Sequence, residues 1–421
     1  MEAQDFFKRQ NMMVSPNAAQ LIKTLKILVV GAGAGGNEVL KNLLLMGFGN
    51  ITIVDFDTVE DSNLSRTTLF RKEDIGKSKS LVAAERLKEM ALHDNPYIKG
   101  LHGNLMTDFG KGLFIEHDIV ICCVDTQKCR AYISDWCVRT KTPFFEMGFA
   151  EYDVDICFFA PEGTMTQSNG TIIEKLPSDD GVFPTFNGEF PVCLREEIGF
   201  GNFEEKRNSC SGYKVKDVNL AKIPTIQVSA AMAGVLVATE LIKYLDGKDR
   251  IRNKMLLYFG LTYETMICSY NRNPKCVIHD EQVDIITHIS NENETIGELI
   301  NKLEQELGGN ILLTLPDEFI ISGKCHICGK TIHYNKRRSE VWDEERWCDD
   351  CKSKYENYEH IIEYASDIVK IPKEITSNSP QYILSKKLND VGVPQNDILS
   401  AMHIVNKDCK NIFLYLKTEK S

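Results

Sequence analysis

KILVVGAGAGGNEVLKNLLLMGFGNITIVDFD, residues 26–57, decides the fold of this chain. An apolar strand ends in Gly31, Gly33 and Gly36 in Gly-x-Gly-x-x-Gly register. A helical pattern follows, and a second apolar strand carries Asp55 nineteen residues beyond the last glycine. Glycines let the backbone approach a phosphate, the helix N-terminus attracts its charge, and the acid accepts hydrogen bonds from ribose hydroxyls. The arrangement predicts a nucleotide site without identifying the nucleotide.

The same alternation of strand and helix continues to about residue 161. We predict strands at 26–31, 50–57, 117–125 and within 142–161, and helices at 37–49, 77–96 and from Thr126 to about Thr140. This order is typical of a Rossmann-like, mostly parallel α/β sheet with helices on both faces. A buried helix is predicted at 225–245 and a strand near 254–261, which completes a first domain, 1–281.

Two stretches depart from that alternation. Residues 162–222 are rich in Gly, Asn, Ser, Asp and Pro, which is typical of a crossover or mobile loop. Residues 282–421 form a C-terminal α+β extension, with a predicted helix at 295–308 and a strand at 310–315.

Composition limits the class of protein. The 421 residues contain 49 basic and 60 acidic side chains, a net charge of −11, which argues against broad capture of nucleic acid or anionic membranes. The N-terminal residues lack an apolar core with a cleavage site, and helix 225–245 is interrupted by polar residues. We therefore expect a cytoplasmic protein with reduced thiols.

The residues after Asp55 limit the reactions that the predicted nucleotide site could support. Asn63, Arg66 and Lys79 follow within 24 positions, and Asp125 ends the strand IVICCVD. Hydride transfer needs little positive charge beyond the pyrophosphate site, whereas cleaving ATP between its α and β phosphates requires cations around the leaving pyrophosphate. An acid at the carboxyl end of a parallel strand can hold Mg²⁺. Taken singly, each of these residues also suits a solvated surface loop.

Together these motifs resemble the adenylation core of the ubiquitin-activating enzyme superfamily, which includes the ThiF, MoeB and HesA-like adenylyltransferases. The match runs through Gly-x-Gly-x-x-Gly, Asp-x-Asp, Ser-Asn-Leu-x-Arg, Gly-Lys-x-Lys and Cys-Val-Asp at 123–125, and covers roughly the first 280 residues. The resemblance implies that ATP and Mg²⁺ are bound and that the C-terminal glycine of a ubiquitin-like or sulfur-carrier protein is adenylated.

The resemblance also implies residue roles. Asp55 would hold the ribose, with Asp57 completing the Asp-x-Asp motif, and Asn63, Arg66 and Lys79 would contact phosphates. Asp125 would serve Mg²⁺. Arg9, in FFKRQ, would contact phosphate in the partner subunit of a homodimer.

A nucleophilic cysteine is a separate question. Cys210 follows Lys206 and Arg207, cations that favour the thiolate, and its Asn-Ser-Cys setting resembles that of ThiF and MoeB-like enzymes. Cys193 is the alternative, and an ordinary thiol remains open for both. The Pro-x-Cys-Thr motif of the eukaryotic activating enzymes is absent. If a thioester forms, a downstream conjugating enzyme is a further candidate partner.

Two metal sites are suggested by spacing. Cys325, Cys328, Cys348 and Cys351 form two Cys-x-x-Cys pairs, which predicts a structural Zn²⁺ in a zinc ribbon at 321–354. Cys276 and His279 suit a degenerate or lost site.

Several functions compete. The leading interpretation is activation of a ubiquitin-like modifier by adenylation, followed by thioester formation at Cys210. Activation of a sulfur carrier is the near alternative. A relative acting on a small molecule or on tRNA, a non-catalytic scaffold subunit and an NAD-dependent oxidoreductase are the others; the last leaves the Asn, Arg and Lys series unexplained.

Overall fold

The computed structural model describes residues 6–92, 95–161, 225–270, 276, 284–290, 293–325, 327–341, 348–352, 366–406 and 408–418. The chain divides into two compact units, residues 1–108 with 113–282 and residues 109–112 with 283–421. Each unit has its own cluster of buried apolar side chains.

Helices and strands alternate through the first unit. Its described helices are α1 (Lys8–Asn11), α2 (Pro16–Thr24), α3 (Ala34–Leu45), α4 (Lys79–Met90), α5 (Leu113–Glu116), α6 (Gln127–Thr140) and α7 (Gln227–Leu245). Its described strands are β1 (Ile27–Val30), β2 (Asn50–Asp55), β3 (Tyr97–His102), β4 (Ile119–Cys122), β5 (Phe144–Ala150), β6 (Asp153–Phe159), β7 (Lys254–Phe259) and β8 (Glu264–Ser269).

These eight strands form one sheet in the order β3-β2-β1-β4-β5-β6-β7-β8. Strands β1 to β5 pair in parallel, and β5 to β8 pair antiparallel. The chain builds outward from β1 through β2 and β3, and then crosses to the other side of β1 to form β4. The predicted mostly parallel α/β sheet is therefore confirmed, with an antiparallel extension.

The central strands are covered on both faces. In β1, Ile27 and Val29 belong to the large apolar cluster, while Leu28 and Val30, which point to the opposite face, are at most 2% exposed. Successive side chains in a strand alternate between faces, so burial at every position requires cover on both sides.

Among the described strands of the first unit, β3 and β8 were not predicted. In β3 exposed and covered positions are mixed, and Gly100 interrupts the apolar pattern. In β8 five of six residues are exposed. Both are edge strands, where one side of the backbone has no partner strand and the apolar signal is weak.

Helix α7 is long and apolar enough to pass a test for membrane spans based on length and composition, with a mean hydropathy of 1.5. However, 56% of that window is buried inside the protein, and Val237, Leu241 and Tyr244 belong to the apolar cluster of this unit. Gly234 packs against α3, because a Cβ built there would lie 2.6 Å from Cβ of Glu38. These are contacts of a core helix.

The second unit contains two sheets. Its described strands are β9 (Asp284–Ser290), β10 (Asn310–Thr314), β11 (Phe319–Lys324), β12 (Thr331–Arg337), β13 (Ser366–Ile371), β14 (Glu374–Ile375), β15 (Ile398–Val405) and β16 (Asp408–Thr418). Its described helices are α8 (Ile296–Leu307), α9 (Asp349–Lys352) and α10 (Gln381–Leu384). The strand orders are β14-β10-β15-β16-β9 and β12-β11-β13.

Helix α8 begins where its sequence predicts. The Thr295 side chain accepts a hydrogen bond from the N–H of Glu298 at 3.2 Å, and Glu298 Oε2 accepts one from the N–H of Thr295 at 2.9 Å. This reciprocal capping box satisfies two N–H groups that the helix leaves unpaired. The apolar face of α8, with Leu299 and Leu303, is buried in the core of the second unit.

Candidate active site

The glycine loop joins β1 to α3. A Cβ at Gly31, whose φ is +95°, would lie 2.6 Å from the carbonyl oxygen of Cys123, and a Cβ at Gly36 would lie 2.0 Å from the carbonyl oxygen of Gly31. Those two glycines allow close packing of the chain on itself. Gly33 differs: it caps α3, and a Cβ there would meet nothing within 4 Å. Open space therefore faces the N-terminus of α3, where an anion is favoured.

Asp55 links this loop to the end of β2. Its Oδ2 accepts a hydrogen bond from the N–H of Ala32 at 2.6 Å, and its Oδ1 accepts one from the N–H of Asp57 at 2.7 Å. Burial raises the pKa of Asp55, and the Ala32 and Asp57 N–H groups oppose that rise. The carboxylate is thus held beside the glycine loop, where a ribose would lie.

Lys79 is joined to the same network. Its Nζ lies 2.8 Å from Asp57 Oδ2, and its N–H donates to the Asp57 carbonyl at 3.0 Å. Lys79 is 9% exposed although it is the first residue of α4. Its charge is therefore fixed near the glycine loop through Asp57.

Asn37 is a residue of this site that the sequence analysis missed. It is fully buried, and its Nδ2 donates to the carbonyls of Ala32 at 2.7 Å and Gly33 at 3.1 Å. Its Oδ1 accepts the N–H of Leu69 at 2.9 Å. The side chain ties the glycine loop to the segment that follows Arg66. The sequence signal for Asn37 was its position: it directly follows the last glycine of the motif, at the start of an apolar helix.

Asn63 and Arg66 lie on a turn that precedes α4. Asn63 is 9% exposed, and its Oδ1 accepts the N–H of Glu60 at 2.9 Å. A guanidinium nitrogen of Arg66 donates to the Ser62 carbonyl at 2.8 Å. Among the described residues, neither side chain bonds to the glycine loop or to Asp125. The structure therefore places both on one turn without bringing them onto the loop.

Asp125 follows β4, on the other side of β1. The N–H of Cys123 donates to the Val30 carbonyl at 2.8 Å, and Cys123 contacts Gly31, so the end of β4 lies beside the glycine loop. Asp125 is exposed, and the described part of the chain provides no hydrogen-bond partner for its carboxylate. Because the chain leaves β1 and β4 in opposite directions, their carboxyl ends form the crevice where open α/β sheets bind ligands.

Arg9 lies elsewhere in the chain. It is an exposed residue of α1, and the neighbouring Gln10 donates to the Met46 carbonyl at 2.7 Å. Met46 follows the C-terminal end of α3, whereas the glycine loop is at its N-terminal end. A helix of 12 residues is about 18 Å long. Arg9 is thus not part of the site of its own chain.

The candidate nucleophiles Cys193 and Cys210 lie outside the described residues, as does His279. Cys276 is buried and packs against Val138. Every cysteine within the described ranges is a free thiol.

The four paired cysteines come together in the second unit. All four Sγ atoms of Cys325, Cys328, Cys348 and Cys351 lie within 4.8 Å of one another. The distance of 3.5 Å between Sγ of Cys328 and Cys348 is too long for a disulfide. A Zn²⁺ with ligand distances of about 2.3 Å requires sulfur atoms roughly 3.8 Å apart, so the donor set fits tetrahedral zinc.

The backbone around Cys325 is arranged for negative charge, whereas burial raises the pKa of Cys348 and Cys351. Gly329, with φ of +71°, turns the chain so that its N–H donates to the Cys325 carbonyl at 2.9 Å. Burial raises the pKa of Cys325, but N–H groups of Cys328, Cys348 and Ile327 directed at its sulfur bring it down to about 6. A thiolate is the form that binds a metal.

The comparisons with known proteins agree on one family. The model of the ThiF family matches residues 7–278. SUMO-activating enzyme subunit 2 of Dictyostelium discoideum is 42% identical over 132 residues, 31% of this chain and 20% of that protein. The sulfur carrier protein adenylyltransferase of Thermus thermophilus is 26% identical over 280 residues, 66% of this chain and 91% of that protein.

Solved structures are more distant. A crystal structure of E. coli MccB with MccA-N7isoASN is 20% identical, with a TM-score of 0.49, over 66% of this chain and 75% of that chain. The aligned segment spans only a fifth of the SUMO-activating subunit, so the activity of that whole protein does not transfer by likeness alone.

Proposed function

Because the chain belongs to the ThiF family, we propose that it uses ATP to adenylate the C-terminal glycine carboxylate of a ubiquitin-like protein. The observation that carries the proposal is the open space at Gly33 beside a fixed acid and a fixed cation. Asp55 is bonded to the loop through Ala32, and Lys79 is bonded to the neighbouring Asp57. These contacts form one side of a site suited to a nucleoside triphosphate.

The remaining groups would complete that site. Asn63 and Arg66 retain hydrogen-bond donors beyond the bonds within their own turn, and phosphates would attract them toward the loop. Asp125, with an unpartnered carboxylate at the end of β4, suits Mg²⁺, which prefers oxygen ligands. When bound, Mg²⁺ would supply positive charge that offsets the negative charge of the phosphates.

The chemistry needs positioning more than proton transfer. A carboxylate oxygen of the carrier attacks the α phosphorus of ATP, a bond forms between them, and the bond to the β-phosphate oxygen breaks to release pyrophosphate. The attacking carboxylate is already ionised, so a general base is unnecessary. Lys79 and Arg66 would stabilise the charge that develops on the leaving pyrophosphate.

We further propose a homodimer in which Arg9 reaches the nucleotide of the partner subunit. Its exposed position, far from the glycine loop of its own chain, is compatible with a contact in trans. Replacing Arg9 with Ala should slow ATP–pyrophosphate exchange. Mixing this variant with a Lys79→Ala variant should restore part of the activity if each nucleotide site contains residues from both subunits.

Transfer of the acyl group to Cys210, with Cys193 as the alternative, would follow adenylation. Activation of a sulfur carrier is the second candidate function, and the Thermus thermophilus relative, 91% of which is covered, favours it. The two differ in outcome: with a modifier, the Cys210 thiolate would displace AMP and hold the acyl group as a thioester, whereas a sulfur carrier would leave as its acyl adenylate, to receive sulfur from a separate donor. Cys210→Ala should abolish a conjugate that is sensitive to reductant and leave adenylation intact.

In the second unit, Cys325, Cys328, Cys348 and Cys351 are proposed to hold a structural Zn²⁺. Four thiolates would fill its coordination sphere, so the ion would stabilise the fold without taking part in the reaction.

ATP–pyrophosphate exchange in the presence of candidate carrier proteins tests the proposal. We expect exchange that depends on a carrier ending in glycine and that is lost in Asp125→Ala, while replacement of the exposed Glu85 of α4 has no effect. Absence of exchange with every carrier, together with binding of NADH, would instead support an oxidoreductase.

A further inference from the structure

Arg130 lies five residues after Asp125 in the chain and is almost completely buried. It is 6% exposed, on the first turns of α6. Its Nε donates to the Val124 carbonyl at 3.0 Å, one terminal nitrogen donates to the Met147 carbonyl at 3.2 Å, and the other pairs with the carboxylate of Glu146 on β5. One guanidinium thus joins the end of β4 to β5.

The backbone of the same residue holds the other side of Asp125. The N–H of Arg130 donates to the Thr126 carbonyl at 3.1 Å. Arg130 therefore fixes the carbonyls of Val124 and Thr126, the residues on either side of Asp125. Since the Asp125 side chain has no hydrogen-bond partner among the described residues, its position depends on this main chain.

Stability alone is a weak reason for such an ion pair. Glu146 is 1% exposed, and moving two charges out of water is costly, so an apolar pair of similar volume is often no less stable. An apolar pair, however, could not hold the carbonyl of Val124. Groups behind a metal ligand typically change metal affinity or activity by about 10–100-fold when they are replaced.

We propose that Arg130, with Glu146 as its counter-ion, is a positioning residue that aims the Asp125 carboxylate at the Mg²⁺ of bound ATP. This inference rests on the proposed adenylation site. The Arg130 side chain touches neither nucleotide nor carrier in this scheme and acts only through the Val124 carbonyl, since the bond to Thr126 is made by the main-chain N–H that any residue would supply.

The test measures binding of ATP to the full chain by calorimetry, with Mg²⁺ and with a chelator in its place. In the unaltered protein, Mg²⁺ should tighten ATP binding. Arg130→Gln should reduce the ratio of ATP affinities with and without Mg²⁺ by about 10–100-fold, to the ratio found for Asp125→Asn. The affinity for ATP without metal should stay unchanged.

A double variant separates positioning from stability. Arg130→Met with Glu146→Leu removes both charges together, which should keep the free energy of unfolding close to that of the unaltered protein. If Arg130 is a positioning residue, this stable double variant still lacks the Mg²⁺-dependent gain. Recovery of the gain in the double variant, or its persistence in Arg130→Gln, would overturn the proposal and leave the adenylation site intact. Failure of the unaltered protein to bind ATP at all would overturn both.

Discussion

The glycine loop and the cysteine cluster are two sites held together in opposite ways. Around the loop, Ala32 and Asn37 are fully buried. The Asp55 carboxylate accepts a hydrogen bond from the loop backbone, and the Asn37 amide donates to it, within a large apolar cluster. Around the four cysteines, only Ile332 packs as a partly buried apolar neighbour among the described residues. The comparison teaches that the first site is organised by the fold itself, whereas the second, with little apolar packing, is the one that we propose to depend on an ion.

Removal of the metal should show this difference most strongly. Chelation, or Cys348→Ser, should lower the free energy of unfolding of the second unit by on the order of 5 kcal/mol, because four thiols with little apolar packing lose their common partner. Zinc content measured by atomic absorption should fall from one ion per chain to none. The matched control is Cys409→Ser, an exposed thiol on β16. Full zinc content in Cys348→Ser would contradict the prediction.

Loss of the fixed cation should disable the loop site without unfolding it. Lys79→Met should slow ATP–pyrophosphate exchange by about 10²–10³-fold, since a charge aimed at the leaving pyrophosphate is removed. The melting temperature should change little, because the Met side chain suits a 9% exposed position. Lys77→Met, which removes a cation two residues away that pairs with Asp74, should leave exchange near normal. Equal losses of exchange rate in both variants would show that the reaction depends on the total positive charge of this region and not on the position of the Lys79 ammonium group.

A pair of glycine variants sharpens the distinction between packing and binding inside the loop. Gly36→Ala should lower the free energy of unfolding by about 2–3 kcal/mol, because its Cβ would meet the Gly31 carbonyl oxygen at 2.0 Å. Gly33→Ala has room for the methyl group and should be as stable as the unaltered protein. The Gly33 variant should nevertheless bind ATP more weakly in calorimetry. Normal ATP binding by Gly33→Ala would remove the argument that this space belongs to a phosphate.

Acid should weaken the packed region through His117. Its Nδ1 donates to the Leu113 carbonyl at 2.8 Å, its Nε2 accepts from Thr52 at 2.9 Å, and burial lowers its pKa to about 4. The unfolded chain, with an ordinary His pKa of about 6.5, binds a proton first on acidification. The stability is therefore complete above about pH 6.5 and is lost as pH falls toward about 4.

Denaturant titrations at several pH values measure that loss. Between pH 8 and pH 5 we expect the His117 contribution to fall by about 2 kcal/mol. In His117→Gln, whose side chain does not titrate, the free energy of unfolding should fall by about 2 kcal/mol less between pH 8 and pH 5. An unchanged profile would mean that folding does not lower the pKa of His117.

The local conformation of the glycine loop was predictable from the sequence because its signals lie close together in the chain. Glycine register, the acid at the end of β2 and the helix starts at α3 and α4 follow from residues close to one another in the chain. The four cysteines were likewise predictable from spacing, and the structure brings all four together. The edge strands β3 and β8 were missed because their burial is partial, and Arg130 was missed because its partners lie on other elements.

The sequence alone thus determined the family, the alternation of strands and helices that builds a parallel sheet, and the types of residue that could contact a nucleotide. Only the tertiary structure decided which of them meet. It joined Asp55 to Ala32 and Lys79 to Asp57, set Cys123 at the end of β4 beside Gly31, and kept Arg9 away from the loop of its own chain. The physical reason is that neighbours along the chain fix local conformation, whereas distances between side chains on separate strands and helices depend on how the whole sheet packs.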